Sequence, residues 1–153
     1  MSGHWRIVWA GCFAALCMAG CGDSLTQVVL QIDSNASVVD LDTVQIEVLG
    51  PSGDEVVNTQ VPLTAPDSPA LPLTFGLVLD ESAPGEQLTV RVSSSGPVNV
   101  AASARTEFIR GESLTLDLFL DRGCIDVVCP EIESCTAGEC ANNRIDPETL
   151  SSL

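Results

Sequence analysis

The feature that most constrains the fold is an alternation of apolar and polar residues between Leu25 and Leu120. A period of two places every second side chain on the same face of an extended strand, so it predicts strands that are buried on one side only. A shorter run, EVVNTQV, predicts an additional edge strand. The apolar positions of the six main runs are Val28, Leu30 and Ile32; Val44, Ile46 and Val48; Leu71, Leu73, Phe75, Leu77 and Leu79; Leu88, Val90 and Val92; Val98, Val100, Ala102 and Ala104; and Leu114, Leu116, Leu118 and Leu120.

Turn signals separate these runs at the spacing expected of short strands. They are Gly50-Pro51-Ser52-Gly53, Ala83-Pro84-Gly85, Ser95-Gly96-Pro97 and Arg110-Gly111, and a loop with four prolines between Pro62 and Pro72 predicts a crossover between sheets. The runs show no helical period. About seven strands with one-sided burial predict an all-β domain, an antiparallel β-sandwich over residues 25–121 with a single core.

Two strand orders are compatible with this pattern. The nearest architecture is immunoglobulin-like, although the inter-sheet cysteine pair, the core tryptophan and the tyrosine corner of true immunoglobulin domains are missing. A transthyretin-like sandwich belongs to the same class and has a different strand order. The alternation indicates which face of a strand is buried and not which strands are neighbours, so both orders remain open at this stage.

The first twenty residues contain a continuous uncharged segment in place of the alternation. Ile7 to Gly20 are fourteen residues without charge, preceded by the cation Arg6 and ending in the small residues Ala19 and Gly20. A helix that spans a bilayer needs about 20 apolar residues. The segment therefore predicts a signal peptide over residues 1–20 rather than a membrane helix.

The run Met18-Ala19-Gly20-Cys21 resembles the lipobox of bacterial lipoproteins, with Met18 in place of the usual leucine. The resemblance implies cleavage before Cys21 and three acyl chains on that residue, with 21–24 as a short tether; the alternative is an ordinary secretory signal. Two or more chains give stable anchoring, because each buried methylene adds only about 0.8 kcal/mol. Gly22 is not the aspartate that retains some lipoproteins at the inner membrane. We expect a lipid-anchored protein of the cell envelope, with the outer membrane favoured.

Composition excludes several functions. From Cys21 onward the chain has no His, Lys, Tyr or Trp, and its five arginines and twenty-one carboxylates give a formal charge of −16. Such a chain is repelled by nucleic acid and gains nothing from anionic lipid. A serine nucleophile lacks its base, and zinc binding through imidazole is excluded. We expect a protein that is not an enzyme and uses no cofactor; paired carboxylates are the one acid–base alternative.

The segment DSNASVVDLD is the candidate for metal binding. Its carboxylates Asp33, Asp40 and Asp42 lie within ten residues and are candidate calcium ligands at one end of the sandwich. The EF-hand spacing and its glycine are absent. We favour the interpretation that this segment is a solvated turn between the first two strands.

Four cysteines follow the last run in the segment GCIDVVCPEIESCTAGEC: Cys124, Cys129, Cys135 and Cys140. The segment, residues 122–141, is too small for its own apolar core, and an even set of close cysteines in an exported protein predicts disulfides. Metal binding is the alternative, but the gaps are longer than the two-residue knuckles typical of zinc. Four cysteines allow three pairings.

This spacing, with Gly138 and Cys140 at its end, resembles the first half of follistatin-type and EGF-like domains. The resemblance implies crossed pairs, Cys124 with Cys135 and Cys129 with Cys140. Cys21 is then the odd fifth cysteine of the mature chain, which agrees with its lipidation. Residues 142–153 are predicted to form a flexible C-terminal tail.

The complete layout is similar to lipoproteins of myxobacteria, which join a lipobox, a sandwich and a cysteine tail ending like Ile145 to Leu150. The sequence therefore predicts a non-enzymatic envelope lipoprotein with a structural or protein-interaction role. Its partners would be the membrane, through the anchor, and another envelope protein. The alternative function is a calcium- or ligand-binding adhesion module that uses the sandwich loops.

Overall fold

The computed structural model describes residues 25–78 and 87–153. Within these ranges the seven predicted runs form β1 to β7, and three short strands follow. The elements are β1 (Gln27–Ser34), α1 (Val38–Leu41), β2 (Thr43–Leu49), β3 (Glu55–Pro62), β4 (Leu73–Val78), β5 (Gln87–Ser95), β6 (Ala101–Glu107), β7 (Ser113–Leu120), a 3₁₀ turn (Arg122–Cys124), β8 (Glu133–Thr136), β9 (Glu139–Asn142), a second 3₁₀ turn (Pro147–Thr149) and β10 (Ser151–Ser152).

The strands form two four-stranded sheets and a separate hairpin. Sheet A has the order β10-β7-β1-β4, sheet B has the order β3-β2-β5-β6, and β8 pairs with β9. Neighbours run antiparallel except β1 and β7, which are parallel from Gln27 opposite Ser113 to Ser34 opposite Leu120. The predicted sandwich is confirmed, with one parallel pair that was not predicted. The proline-rich loop leads from β3 in sheet B to β4 in sheet A, as expected.

The partition of strands distinguishes between the two orders left open above. The first, fourth and seventh strands share sheet A, and the second, third, fifth and sixth share sheet B. In a constant-type immunoglobulin domain the first, second, fourth and fifth strands share one sheet. The order is therefore not the immunoglobulin one, and the transthyretin-like alternative remains.

The core lies between the two sheets and consists of the apolar residues of the alternation. Leu30, Ile32, Val44, Val90 and Leu116 are fully buried. Burying a side chain of this size contributes roughly 1.5–3 kcal/mol, which is why the alternating residues determine the inward faces. The edge strand β4 is covered less completely, and Phe75 is only partly buried there.

A single helical turn, α1, was not predicted. The Ser37 hydroxyl accepts a hydrogen bond from the backbone N–H of Val39 (3.3 Å) and caps the turn, while Leu41 is fully buried below it. The loop before β6 passes so close to α1 that a Cβ on Gly96 would lie 2.6 Å from the carbonyl oxygen of Asp40. Glycine is therefore required at position 96.

The sixth strand begins later than the run at Pro97 suggests. β6 starts at Ala101, because the Ser94 hydroxyl donates to the Val98 carbonyl (3.0 Å) and accepts from the Val100 N–H (3.0 Å). These local hydrogen bonds compete with strand pairing. Val98 therefore contacts the core from a loop.

Residues 142–153 do not form the free tail that was predicted. The Asn143 carbonyl accepts from Arg105 N–H (2.8 Å), Ile145 N–H donates to the Arg105 carbonyl (2.8 Å), and β10 pairs with β7. The prediction was wrong because the segment is too short to show an alternation of its own, and its structure depends on the strand edges beside it.

The two ends of the sandwich differ. Gln27 lies opposite Val78 and Ser113, so β1 and β7 begin, and β4 ends, at what we call the N-terminal end. The opposite end carries α1, the proline-rich loop and the start of the cysteine segment at Arg122.

Candidate functional site

The disulfide module, residues 122–141, shares the core of the sandwich. Its bonds are Cys124–Cys135 and Cys129–Cys140, the crossed pairs that the resemblance implied. Cys124 and Cys135 are buried and belong to the same apolar cluster as the sheet residues. Cys129 is half-buried and Cys140 is exposed. The module therefore has one bond inside the common core and one near its surface.

The β8–β9 hairpin connects the two bonds. Cys135 and Cys140 are direct cross-strand neighbours, and each is bonded to a different cysteine outside the hairpin. The connecting residues Ala137 and Gly138 have φ values of 52° and 86°, as the two-residue turns favoured in hairpins require. The hairpin is thus held covalently on both strands.

Asp121 joins three segments at the end of the sandwich that is opposite its N-terminal end. Its carboxylate accepts hydrogen bonds from the backbone N–H groups of Gly123 (2.9 Å) and Ala137 (3.0 Å) and from the side-chain amide of Asn35 (3.1 Å). The Gly123 hydrogen bond, followed by the one from Asn35, lowers the pKa of Asp121 below its ordinary value. Because these donors favour the ionised form, the junction is most stable when Asp121 is charged.

Asn143 joins the module to sheet B. Its side chain is 3% exposed; Nδ2 donates to the Ser103 hydroxyl (2.8 Å) and the Glu131 carbonyl (3.1 Å). Its Oδ1 accepts from Arg105 Nε (2.8 Å), and its backbone N–H donates to the Ile132 carbonyl (3.1 Å). A buried amide with its hydrogen bonds satisfied is a rigid connection.

A groove of about 380 Å³ lies between the outer face of sheet B and the module. Arg91 crosses it, with Nη1 3.6 Å from Glu47 and Nη2 3.1 Å from Glu131, and Glu133 also lines it. Three carboxylates against one guanidinium make the groove negative. Because these ion pairs are partly exposed, each contributes roughly 0–1 kcal/mol to stability, so a binding partner can replace them at little cost.

The groove is lined by polar groups that can bind a polar partner surface. Ser93, Ser103 and Ser134 line it, but residues 21–153 contain no His or Lys that would activate a serine hydroxyl. The Ser103 hydroxyl is also engaged by Asn143 (2.8 Å). The available groups are carboxylates, hydroxyls and one guanidinium, which are suited to polar and cationic surfaces.

The three calcium candidates are not brought together. Asp33 accepts from the Ser34 backbone N–H (2.8 Å), Asp42 accepts from the Thr64 hydroxyl (2.7 Å), and Asp40 lies in α1. Within residues 25–78 and 87–153, no three His, Cys, Asp or Glu side chains are grouped so that they could hold a metal ion. These aspartates instead make separate local contacts.

The predicted signal peptide and Cys21 lie outside the described residues. Among the residues that are described, no helix has the length and apolar character needed to cross a membrane. Comparison with protein-family models, with curated proteins and with solved structures finds no match for this chain. Its function is therefore inferred from its own chemistry.

Asn143 and Ser103 were missed by the sequence analysis. Asn143 follows another asparagine in a segment predicted to be free, and Ser103 is one of several polar residues in the β6 run. Asn142 is exposed whereas Asn143 is buried. No local sequence pattern distinguishes Asn143 from Asn142. Asn143 is buried because it lies against the edge of β6, where its carbonyl accepts from Arg105 N–H.

Proposed function

We propose that this chain is a non-enzymatic lipoprotein of the cell envelope, held at a membrane by acyl chains on Cys21, which presents the sandwich and the disulfide module to a protein partner. The observation that supports it best is the rigid connection between these two parts. Cys124 and Cys135 lie in the shared core, and Asn143 bonds across the junction. A pre-organised surface loses little conformational freedom on binding, which favours an interaction role.

Charge indicates the chemistry of the partner. The chain from Cys21 onward carries a formal charge of −16, and three of its carboxylates lie around Arg91 in the groove. Complementary charge accelerates association and excludes wrong partners. The partner surface is therefore expected to carry Lys or Arg.

The β3 edge is the element best suited to contact an extended segment of that partner. Its residues are exposed or half-buried, and in the described part of the chain no strand pairs with its outer side. The edge of β6, by contrast, is bonded to residues 143–145 and to Ser134. An open edge provides backbone groups for the addition of another strand.

Replacing Cys21 with Ser, together with an ordinary cleavable signal peptide in place of residues 1–20, tests the anchor. The wild-type protein should fractionate with membranes and yield an acylated N-terminal peptide in mass spectrometry, whereas the variant should be soluble. The double variant Cys129→Ser, Cys140→Ser is the matched control and should stay with the membrane. A membrane-bound Cys21→Ser protein, or an unmodified N-terminal peptide from the wild type, would contradict the proposal.

Site-specific photo-crosslinking tests the interaction surface. A photoreactive residue at Gln60 on β3 or at Gln45 in the groove should give a defined adduct in intact cells, and the yield should fall as ionic strength rises. The same residue at Asp117, exposed on β7, is the control and should give none. Equal yields at all three positions would indicate that no specific surface is used.

A further inference from the structure

An apolar cleft lies between the edges of the two sheets at the N-terminal end of the sandwich. Its volume is about 370 Å³, within the range of roughly 300–1,000 Å³ that is usual for small-molecule sites. Val56, Phe75, Val78 and Phe108 are among its lining residues. Val56 is 67% exposed and Val78 is 60% exposed. The described residues therefore leave apolar surface uncovered here, on an otherwise acidic protein.

The chain enters the sandwich beside this cleft. Gln27 is the direct neighbour of Val78, and Leu25 just before it is also largely exposed. Cys21 lies six residues before Gln27. A fully extended chain of that length spans about 20 Å, so a group attached to Cys21 is within reach of the cleft.

The charges around the cleft favour a single acyl chain over a bilayer surface as its occupant. Asp54 and Glu55 begin the β3 side, and Glu107 and Glu112 flank the β6–β7 turn at the same end, which also carries the cation Arg110. These carboxylates would be repelled by anionic lipid head groups. One neutral hydrocarbon chain can enter the cleft without bringing them to the membrane surface.

We propose that one of the acyl chains on Cys21 folds back into this cleft while the others hold the membrane. The inference rests on the proposed lipidation of Cys21. Two acyl chains are enough for stable anchoring, so a third is available. Burial of its methylenes against Phe75 and Phe108 removes apolar area from water on both partners.

Tryptophan fluorescence tests whether the cleft accepts an acyl chain. From Cys21 onward the chain has no Trp, so Phe108→Trp introduces a single reporter in the cleft, and Phe119→Trp, on β7 toward the opposite end, is the matched control. Both variants carry Cys21→Ser and an ordinary cleavable signal peptide in place of residues 1–20, which leaves them without lipid. The probe is the methyl ester of stearic acid with a nitroxide near the methyl end of its chain, which brings no carboxylate to the acidic surroundings of the cleft.

The F108W signal should fall saturably with the probe, and the F119W signal should not change. Circular dichroism is used to check that each variant is folded. If the F108W variant does not fold, Phe75→Trp serves as a second reporter in the cleft. A folded cleft reporter without saturable quenching overturns the proposal.

Photo-crosslinking in the lipidated protein identifies the occupant. A benzophenone-bearing phenylalanine analogue at position 108, in the chain with Cys21 intact, should become linked to the acylated N-terminal peptide, and the same analogue at position 119 should not. A link to membrane lipid, or only to other residues of this chain, overturns the proposal while Cys21 is still seen to be acylated. An unacylated N-terminal peptide overturns the lipoprotein function itself, so the two failures are distinguishable.

Discussion

Asn143 and Asp121 tie the module to the sandwich by different physical means. Asn143 is buried and neutral, so its contribution depends on hydrogen bonds that are fully made in a low-dielectric environment. Asp121 lies nearer the surface, and its contribution depends on its charge, which three donors favour. The two junctions should therefore respond to different perturbations.

Replacing Asn143 with Ala should lower the free energy of unfolding by about 1–3 kcal/mol, because buried partners such as the Ser103 hydroxyl and the Glu131 carbonyl are left unsatisfied. Urea unfolding with the disulfides intact measures this loss. Asn58→Ala, on the exposed face of β3, is the control and should change stability by less than about 0.5 kcal/mol. Equal losses in the two variants would show that Asn143 does not connect the module to the sheet.

Asp121 should make stability depend on pH in the acid range. Its pKa is lowered in the folded protein, so its contribution is fully present above the unfolded pKa of about 3.9 and is lost as the pH falls through the folded pKa. In thermal unfolding measured across acidic pH, the unfolding temperature should fall less steeply with decreasing pH in Asp121→Asn than in the wild type. Asp117→Asn, exposed on β7, should keep the wild-type slope, and an unchanged slope in Asp121→Asn would refute this role.

At the scale of elements, prediction worked where burial is one-sided and failed where a neighbour determines the structure. β1, β2, β5 and β7 bury every second residue, and each was recognisable from its alternation. α1 has four residues and β10 has two, which is too few to show a period. These two elements form because a cap, a buried leucine or an adjacent strand edge is available to them.

The two disulfides should differ in their contribution to stability. Each closes a loop with a sequence separation of 11, so the chain-entropy contributions are equal, at about 3 kcal/mol each. Replacing Cys124 and Cys135 with Ala should cost more than replacing Cys129 and Cys140, because only the first pair leaves a cavity in the core. Denaturant unfolding of the two double variants compares them, and equal losses would contradict the shared core.

At the scale of the whole molecule, one edge of sheet B is closed and the other is open. The C-terminal segment runs along β6 and ends beside β7, so both ends of the described chain lie at the N-terminal end of the sandwich. β3 has no such cover among the residues described. In the described part of the chain, sheet B thus has one protected edge and one edge available to a partner, and an apolar cleft lies beside the proposed anchor.

Ending the chain after Ala141 should lower the unfolding temperature and promote self-association, because it removes Asn143 and uncovers the edge of β6. Calorimetry and sedimentation measure the two effects. A chain that ends after Leu150 loses only β10 and the final residue; it is the matched control and should sediment like the full chain. If the chain that ends after Ala141 is as stable as the full chain and sediments like it, the C-terminal segment does not protect this edge.

The sequence alone determined the class of fold, the inward-facing residues, the four cysteines of the module and the acidic character of the chain, because alternation and composition are properties of neighbouring residues. Only the tertiary structure decided that β1 lies parallel to β7, that the strand order is not the immunoglobulin one, and that Asn143 rather than Asn142 is buried. The groove and the cleft were likewise decided only by the tertiary structure. They depend on residues far apart in the chain, such as Arg105 and Asn143 with a separation of 38, and contacts over such distances leave no local pattern.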